Sequence, residues 1–104
     1  MIYIGIGRHS PESCPAYNEK FRKMTLDTAE KIEGLAKKYG VKVIGVWNVP
    51  SEHLTYLVFD APSQEAFLKL GMEPEISAWN SFNTTEYKMA IGLEEVKKML
   101  RQAK

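Results

Sequence analysis

The chain has 104 residues, 44% of them apolar and 11% aromatic, which is material for one domain (1–104) with a real core and little disorder. Fourteen Lys plus Arg against thirteen Asp plus Glu give a formal charge of +1, too balanced for the basic face that tracks a phosphate backbone, so no nucleic-acid partner is expected. No apolar run approaches the ~20 residues of a membrane span, Met1 leads into a strand pattern without a cleavable signal, and the lone Cys14 excludes an internal disulfide, so a cytoplasmic protein without membrane contact is expected.

The first segment, Ile2 to Gly7, alternates strictly, with Ile2, Ile4 and Ile6 on one face and Tyr3, Gly5 and Gly7 on the other, and reads as a strand. Beyond Pro11 and Pro15 lies a long helical pattern in which Tyr17, Phe21, Met24, Thr28, Ile32, Leu35 and Tyr39 recur every three or four residues. Gly40 supplies its C-terminal stop. Two β-branched, apolar runs, Val41 to Trp47 and Leu54 to Phe59, form a hairpin pair around the break at Asn48 to His53.

Ser63 is a good N-cap for a shorter helix that turns Ala66, Phe67 and Leu70 inward and is interrupted by Gly71 and Pro74. A last strand, about Thr84 to Ile91, precedes Gly92 and a C-terminal helix with Leu93, Val96, Met99 and Leu100 in one stripe. Its acids Glu94 and Glu95 near the start and its bases Lys97, Lys98 and Arg101 near the end suit the helix dipole.

This order is the split β-α-β arrangement, an antiparallel four-stranded α+β sheet with one added helix. Right-handed crossovers place the third strand between the first and second, and the fourth beyond the first. Helices then cover one face only. The second and third strands are apolar on both sides, which predicts a partner sheet on the bare face.

With that element order and those two-faced strands, the chain resembles the ferredoxin-like proteins that pair their sheets into dimeric α+β barrels, a superfamily that includes antibiotic-biosynthesis monooxygenases and muconolactone isomerases. The segments His9-Ser10-Pro11-Glu12-Ser13-Cys14-Pro15 and Trp47-Asn48-Val49-Pro50-Ser51-Glu52-His53 look like those of an uncharacterised prokaryotic branch of it. The resemblance implies a homodimer through the open sheet face. It carries no catalytic residue onto this chain.

The scarce residues provide the functional clue. His9 and Cys14 follow the first strand and His53 precedes the third, its expected neighbour, so all three reach one end of the sheet. Trp47, Asn48, Glu52, Trp79, Asn80 and Asn83 crowd that end, where a small-molecule pocket would be lined chiefly by Trp47, Asn48, Glu52 and Trp79.

Two imidazoles and a thiolate are donors suited to a transition metal such as zinc, and three protein ligands leave an open position. Glu12 or Glu52 could be a fourth ligand or orient a histidine. A second reading is a cofactor-independent enzyme, oxygenase- or isomerase-like. In it Cys14, set at a helix N-terminus before Pro15, is an activated thiol and His9 or His53 handles the proton. A third is a non-catalytic dimerisation or sensing module, in which Cys14 is a buried small apolar side chain and the histidines bond loop carbonyls. Ser10 as N-cap, Pro11 at the first helical position and Glu12 near the dipole are structural features in every case.

Overall fold

A computed structural model describes residues 1–103; the last residue of the expected domain lies outside them. Strand β1 (Ile2–Arg8) is followed by a 3-10 turn at Pro11–Ser13 and helix α1 (Glu19–Lys38). Strand β2 (Lys42–Val49), a 3-10 turn at Pro50–Glu52 and strand β3 (Leu54–Asp60) make the hairpin. Helices α2 (Gln64–Gly71) and α3 (Pro74–Phe82) precede strand β4 (Thr84–Ala90) and helix α4 (Leu93–Gln102). The sheet is antiparallel with the order β2-β3-β1-β4 expected from right-handed crossovers.

The four-stranded sheet is open within one chain. Helices lie on the face that carries Tyr3, Gly5 and Gly7, while the isoleucines of β1 point away from them, with Ile4 exposed. Period-two alternation makes two faces but does not say which is covered. The choice follows from ring volume: a Cβ at Gly7 would come within 2.8 Å of the Trp79 ring, and one at Gly5 would run into Tyr87. Only the glycine face leaves room for these rings above the sheet.

The core is built on that face. Tyr3, Leu57 and Phe59 from the sheet pack with Ala36, Leu70, Ile76 and Trp79 from the helices, and Tyr3 stacks on Phe67 at 4.2 Å between centroids. Gly40, at φ 70°, closes α1 in a left-handed conformation that an L side chain avoids.

Two expectations are corrected. Helix α1 begins at Glu19 rather than near Tyr17, because Asn18 is its N-cap and accepts from the Phe21 amide at 3.2 Å; Tyr17 is 83% exposed. The interrupted helix is two helices, since Pro74 sits at the first position of α3 and starts it afresh. The apolar stripe of α4 is present, but α4 buries no residue. A bulge between Val43 and Gly45 inserts Ile44 into β2 and shifts the register there.

Candidate metal centre and cavity

Strands β1 and β3 pair down to Arg8 opposite Leu54, and the ladder continues one step as the His9 amide donates to the His53 carbonyl at 3.2 Å. That step makes the two histidines cross-strand neighbours. His53 caps the 3-10 turn at Pro50–Glu52 with φ 53° and ψ 44°, a left-handed conformation that is uncommon outside glycine. Its amide donates to the Pro50 carbonyl at 3.3 Å. The two rings meet edge to face, 5.4 Å apart and 78° between planes.

Cys14 reaches the same place through the Ser10–Cys14 segment. Ser10 Oγ accepts from the Ser13 amide at 3.3 Å, the N-cap role expected for Ser10 before Pro11 and Glu12. The Cys14 amide donates to the Pro11 carbonyl at 3.3 Å, and the Cys14 carbonyl accepts from Tyr17 and Asn18 at 3.0 and 2.8 Å. Arg22 on α1 then clamps the loop, donating to the Pro15 and Ala16 carbonyls at 2.9 Å each. Cys14 is buried. It is not at a helix N-terminus: it ends a 3-10 turn, and α1 starts at Glu19.

The donor atoms of His9, Cys14 and His53 all lie within 4.8 Å of one another. Nε2 of His9 and Nδ1 of His53 are buried without a hydrogen-bond partner among the described residues, a costly arrangement unless something else bonds them. Burial holds the His9 pKa below the ordinary 6.5; the Asn83 side chain opposes this, and the neighbouring His53 adds to it. A neutral imidazole is the metal-binding form. Glu12 and Glu52 are exposed and lie outside the cluster.

His9 also lines a cavity of about 670 Å³ between the sheet and the helices, within the range of small-molecule sites. Its polar end carries Asn48, Asn80 and Asn83; its walls include Leu57, Phe59, Phe67, Ile76 and Trp79. Asn48 accepts from Thr55 at 2.8 Å and Asn80 from Thr85 at 3.1 Å. The Asn83 Nδ2 donates to the Trp79 carbonyl at 2.9 Å. Its Oδ1 lies beside His9 without a hydrogen bond of good geometry, and Thr25 Oγ1 on another wall has no partner among the described residues. Burial pushes the Tyr87 phenol up to about 12, so this wall residue stays neutral.

Of the residues expected around a pocket, Asn48 and Trp79 line this cavity. Trp47 stands on the open sheet face instead, 55% exposed and lying over Gly45, opposite Tyr56. Glu52 is on the exposed 3-10 turn. Sequence reasoning missed Thr25, Phe67, Ile76 and Tyr87 as cavity residues. The spacing Ile76, Trp79, Asn80, Asn83 behind Pro74 was a usable helix signal for one wall.

No protein-family model matches the sequence, and no curated protein matches it. Solved structures do match in fold. A candidate antibiotic biosynthesis monooxygenase from Caulobacter crescentus CB15 aligns with a TM-score of 0.57 at 20% identity, covering 88% of this chain and 90% of its own. An antibiotic biosynthesis monooxygenase gives 0.54 at 9% identity, covering 88% and 100%. A dimeric ferredoxin-like protein from an uncultured marine organism gives 0.50 at 16% identity, covering 88% and 93%. These likenesses show a shared ferredoxin-like α+β fold. Among the described residues no helix is long and apolar enough to cross a membrane.

Proposed function

We propose that this protein is a homodimer that binds one transition-metal ion per chain through His9, Cys14 and His53, with the inter-layer cavity holding a small molecule beside the metal. The observation that carries the reading is the gathering of donor atoms from His9, His53 and the buried Cys14 within 4.8 Å of one another, in histidines that each have a buried ring nitrogen without a hydrogen-bond partner among the described residues. Two nitrogens and one sulfur suit zinc. Three protein donors would leave a position for water or ligand, and the location of His9 on the cavity wall supports that position facing the cavity.

The dimer reading is supported by the apolar open face, where Ile4 and Trp47 are exposed, and by the solved neighbour described as dimeric. Paired sheets would bury that face.

Elemental analysis of tag-free protein tests the metal. We expect about one zinc-class ion per chain in the wild type and none in a Cys14→Ala, His53→Ala double variant. Cobalt(II) loading should give a thiolate charge-transfer band that Cys14→Ala removes. Chelation should lower the melting temperature, because a ligand at 100 times its Kd stabilises by about 2.7 kcal/mol. Wild-type protein that remains metal-free after equilibration with zinc and cobalt would refute the reading.

The fold shared with antibiotic biosynthesis monooxygenases supports a second reading, a cofactor-independent oxygenase- or isomerase-like enzyme. Its substrate would occupy the same cavity with neutral His9 moving a proton. Turnover that survives complete metal removal but not His9→Ala would favour it over the first.

A further inference from the structure

We propose that α4 is an arm that packs on a second copy of this chain, its apolar stripe closing the mouth of that copy's cavity. The inference rests on the dimer reading above and adds a surface and a partner segment to it.

Helix α4 has ten residues, fewer than the ~12–15 at which an isolated helix becomes even marginal in water. Yet it buries no residue, and Leu93 and Leu100 are each 69% exposed. A helix with so sharp an apolar stripe forms because a surface receives that stripe. The chain is also extended for its length: its radius of gyration is 15.5 Å, against about 13 Å for a compact domain of this length.

The same chain carries a matching vacancy in its apolar packing. Ile44 and Val46 of β2 and Leu68 and Met72 on and just after α2 line the cavity and are all exposed, Met72 the most at 77%. Exposed apolar side chains gathered around one cavity mark an interaction site. The bulge in β2 is what turns Ile44 into this rim.

Topology sets the occupant. Ile44 and Val46 of this rim belong to β2, one edge of the sheet, whereas α4 follows β4 at the opposite edge. Three strand spacings, about 14 Å, separate the two edges within one chain, and α4 makes no extensive contact with β2 or α2 of its own chain. When two sheets pair face to face, edges that are far apart in one chain can adjoin across the dimer. Charge agrees: Arg101 flanks the stripe and Glu33 lines the cavity beside β2, and neither has an ion-pair partner among the described residues. Their pairing across copies would fix the direction of the arm.

In this arrangement each cavity is completed by residues of the other copy, so ligand entry and dimerisation are coupled. The test uses the full chain, with substitutions at exposed positions that the core does not need. Leu100→Glu and Met72→Glu should each raise the dimer dissociation constant about tenfold or more in sedimentation equilibrium, which is about 1.4 kcal/mol. Leu100→Lys combined with Met72→Glu should recover most of that loss. A Leu100→Cys, Met72→Cys double variant should oxidise to a dimer linked between chains.

A dimer unaffected by Leu100→Glu and Met72→Glu would overturn the arm while leaving the sheet-face dimer intact. A chain that is monomeric at all concentrations would overturn both. A disulfide formed within one chain would show α4 folding back on its own mouth, and Leu100→Cys alone linking as efficiently as the double variant would show α4 pairing with α4; either result defeats the proposal.

Discussion

At the residue scale, the candidate centre depends on one backbone hydrogen bond. The His9 amide to the His53 carbonyl, at 3.2 Å, extends the β1–β3 ladder by a step, and cross-strand neighbours at that step bring their side chains together. This part was legible in the sequence, because antiparallel pairing puts the end of one strand beside the start of the next. The sequence also put Cys14 at this end of the sheet, but did not show the path that brings its thiol to the two rings. That path depends on a 3-10 turn, on the Asn18 cap and on the Arg22 clamp, none of which has a periodic signal. Gly7 tests the packing above the sheet. A Gly7→Ala Cβ would stand 2.8 Å from the Trp79 ring, so Trp79 must move. Overpacking of this kind costs about 1–3 kcal/mol. Urea denaturation should show that loss together with a changed tryptophan emission, and an unchanged midpoint would mean that the ring has free space to retreat into.

At the element scale, the cavity exists because α1 and α3 are held apart from the sheet yet fastened to each other. The Thr28 hydroxyl lies 2.9 Å from the Met24 carbonyl and 3.0 Å from the Glu75 carbonyl, tying the two helices. Glu73, at the junction of α2 and α3, accepts from Lys38 and from the Tyr39 hydroxyl at 2.6 Å each. The Lys38 bond and then the Tyr39 bond hold the Glu73 carboxyl below its ordinary 4.5. A carboxyl lowered in the folded state stabilises the protein above its unfolded pKa, and that contribution disappears as pH falls through the folded value. Glu73→Gln should therefore be less stable than wild type at neutral pH, with the difference shrinking below about pH 4.5. Thermal melts across pH 3 to 7 would check this; a gap that stays constant with pH would assign the effect to shape alone. The split of α2 from α3 was available from Pro74, but the run of α3 on to Phe82 as a helix of its own is decided by tertiary contact.

At the scale of the whole molecule, one chain leaves two apolar surfaces without cover: the open sheet face and the stripe of α4. Val58→Lys would put a charge on the open face, opposite Ile4 of β1, without touching the helix-side core. In a sheet-paired dimer it should produce a folded monomer, with unchanged far-ultraviolet circular dichroism and half the mass by light scattering. Retention of the dimer would direct attention away from that face. A second copy would also relieve the surface problem of a domain this small.

Strand count, helix order and right-handed crossovers were determined by the sequence itself, because hydrophobic period and connection handedness act locally and have few solutions. The rarity of His9, Cys14 and His53 likewise marked one end of the sheet. The tertiary structure alone decided which face of β1 is covered, by what path Cys14 reaches the two rings and where the cavity opens. Alternation gives both faces equal standing until the Trp79 and Tyr87 rings claim the glycine side. A loop places a thiol by cap and carbonyl bonds that no spacing encodes. A cavity is the volume that several elements fail to fill together, so it belongs to none of their sequences separately.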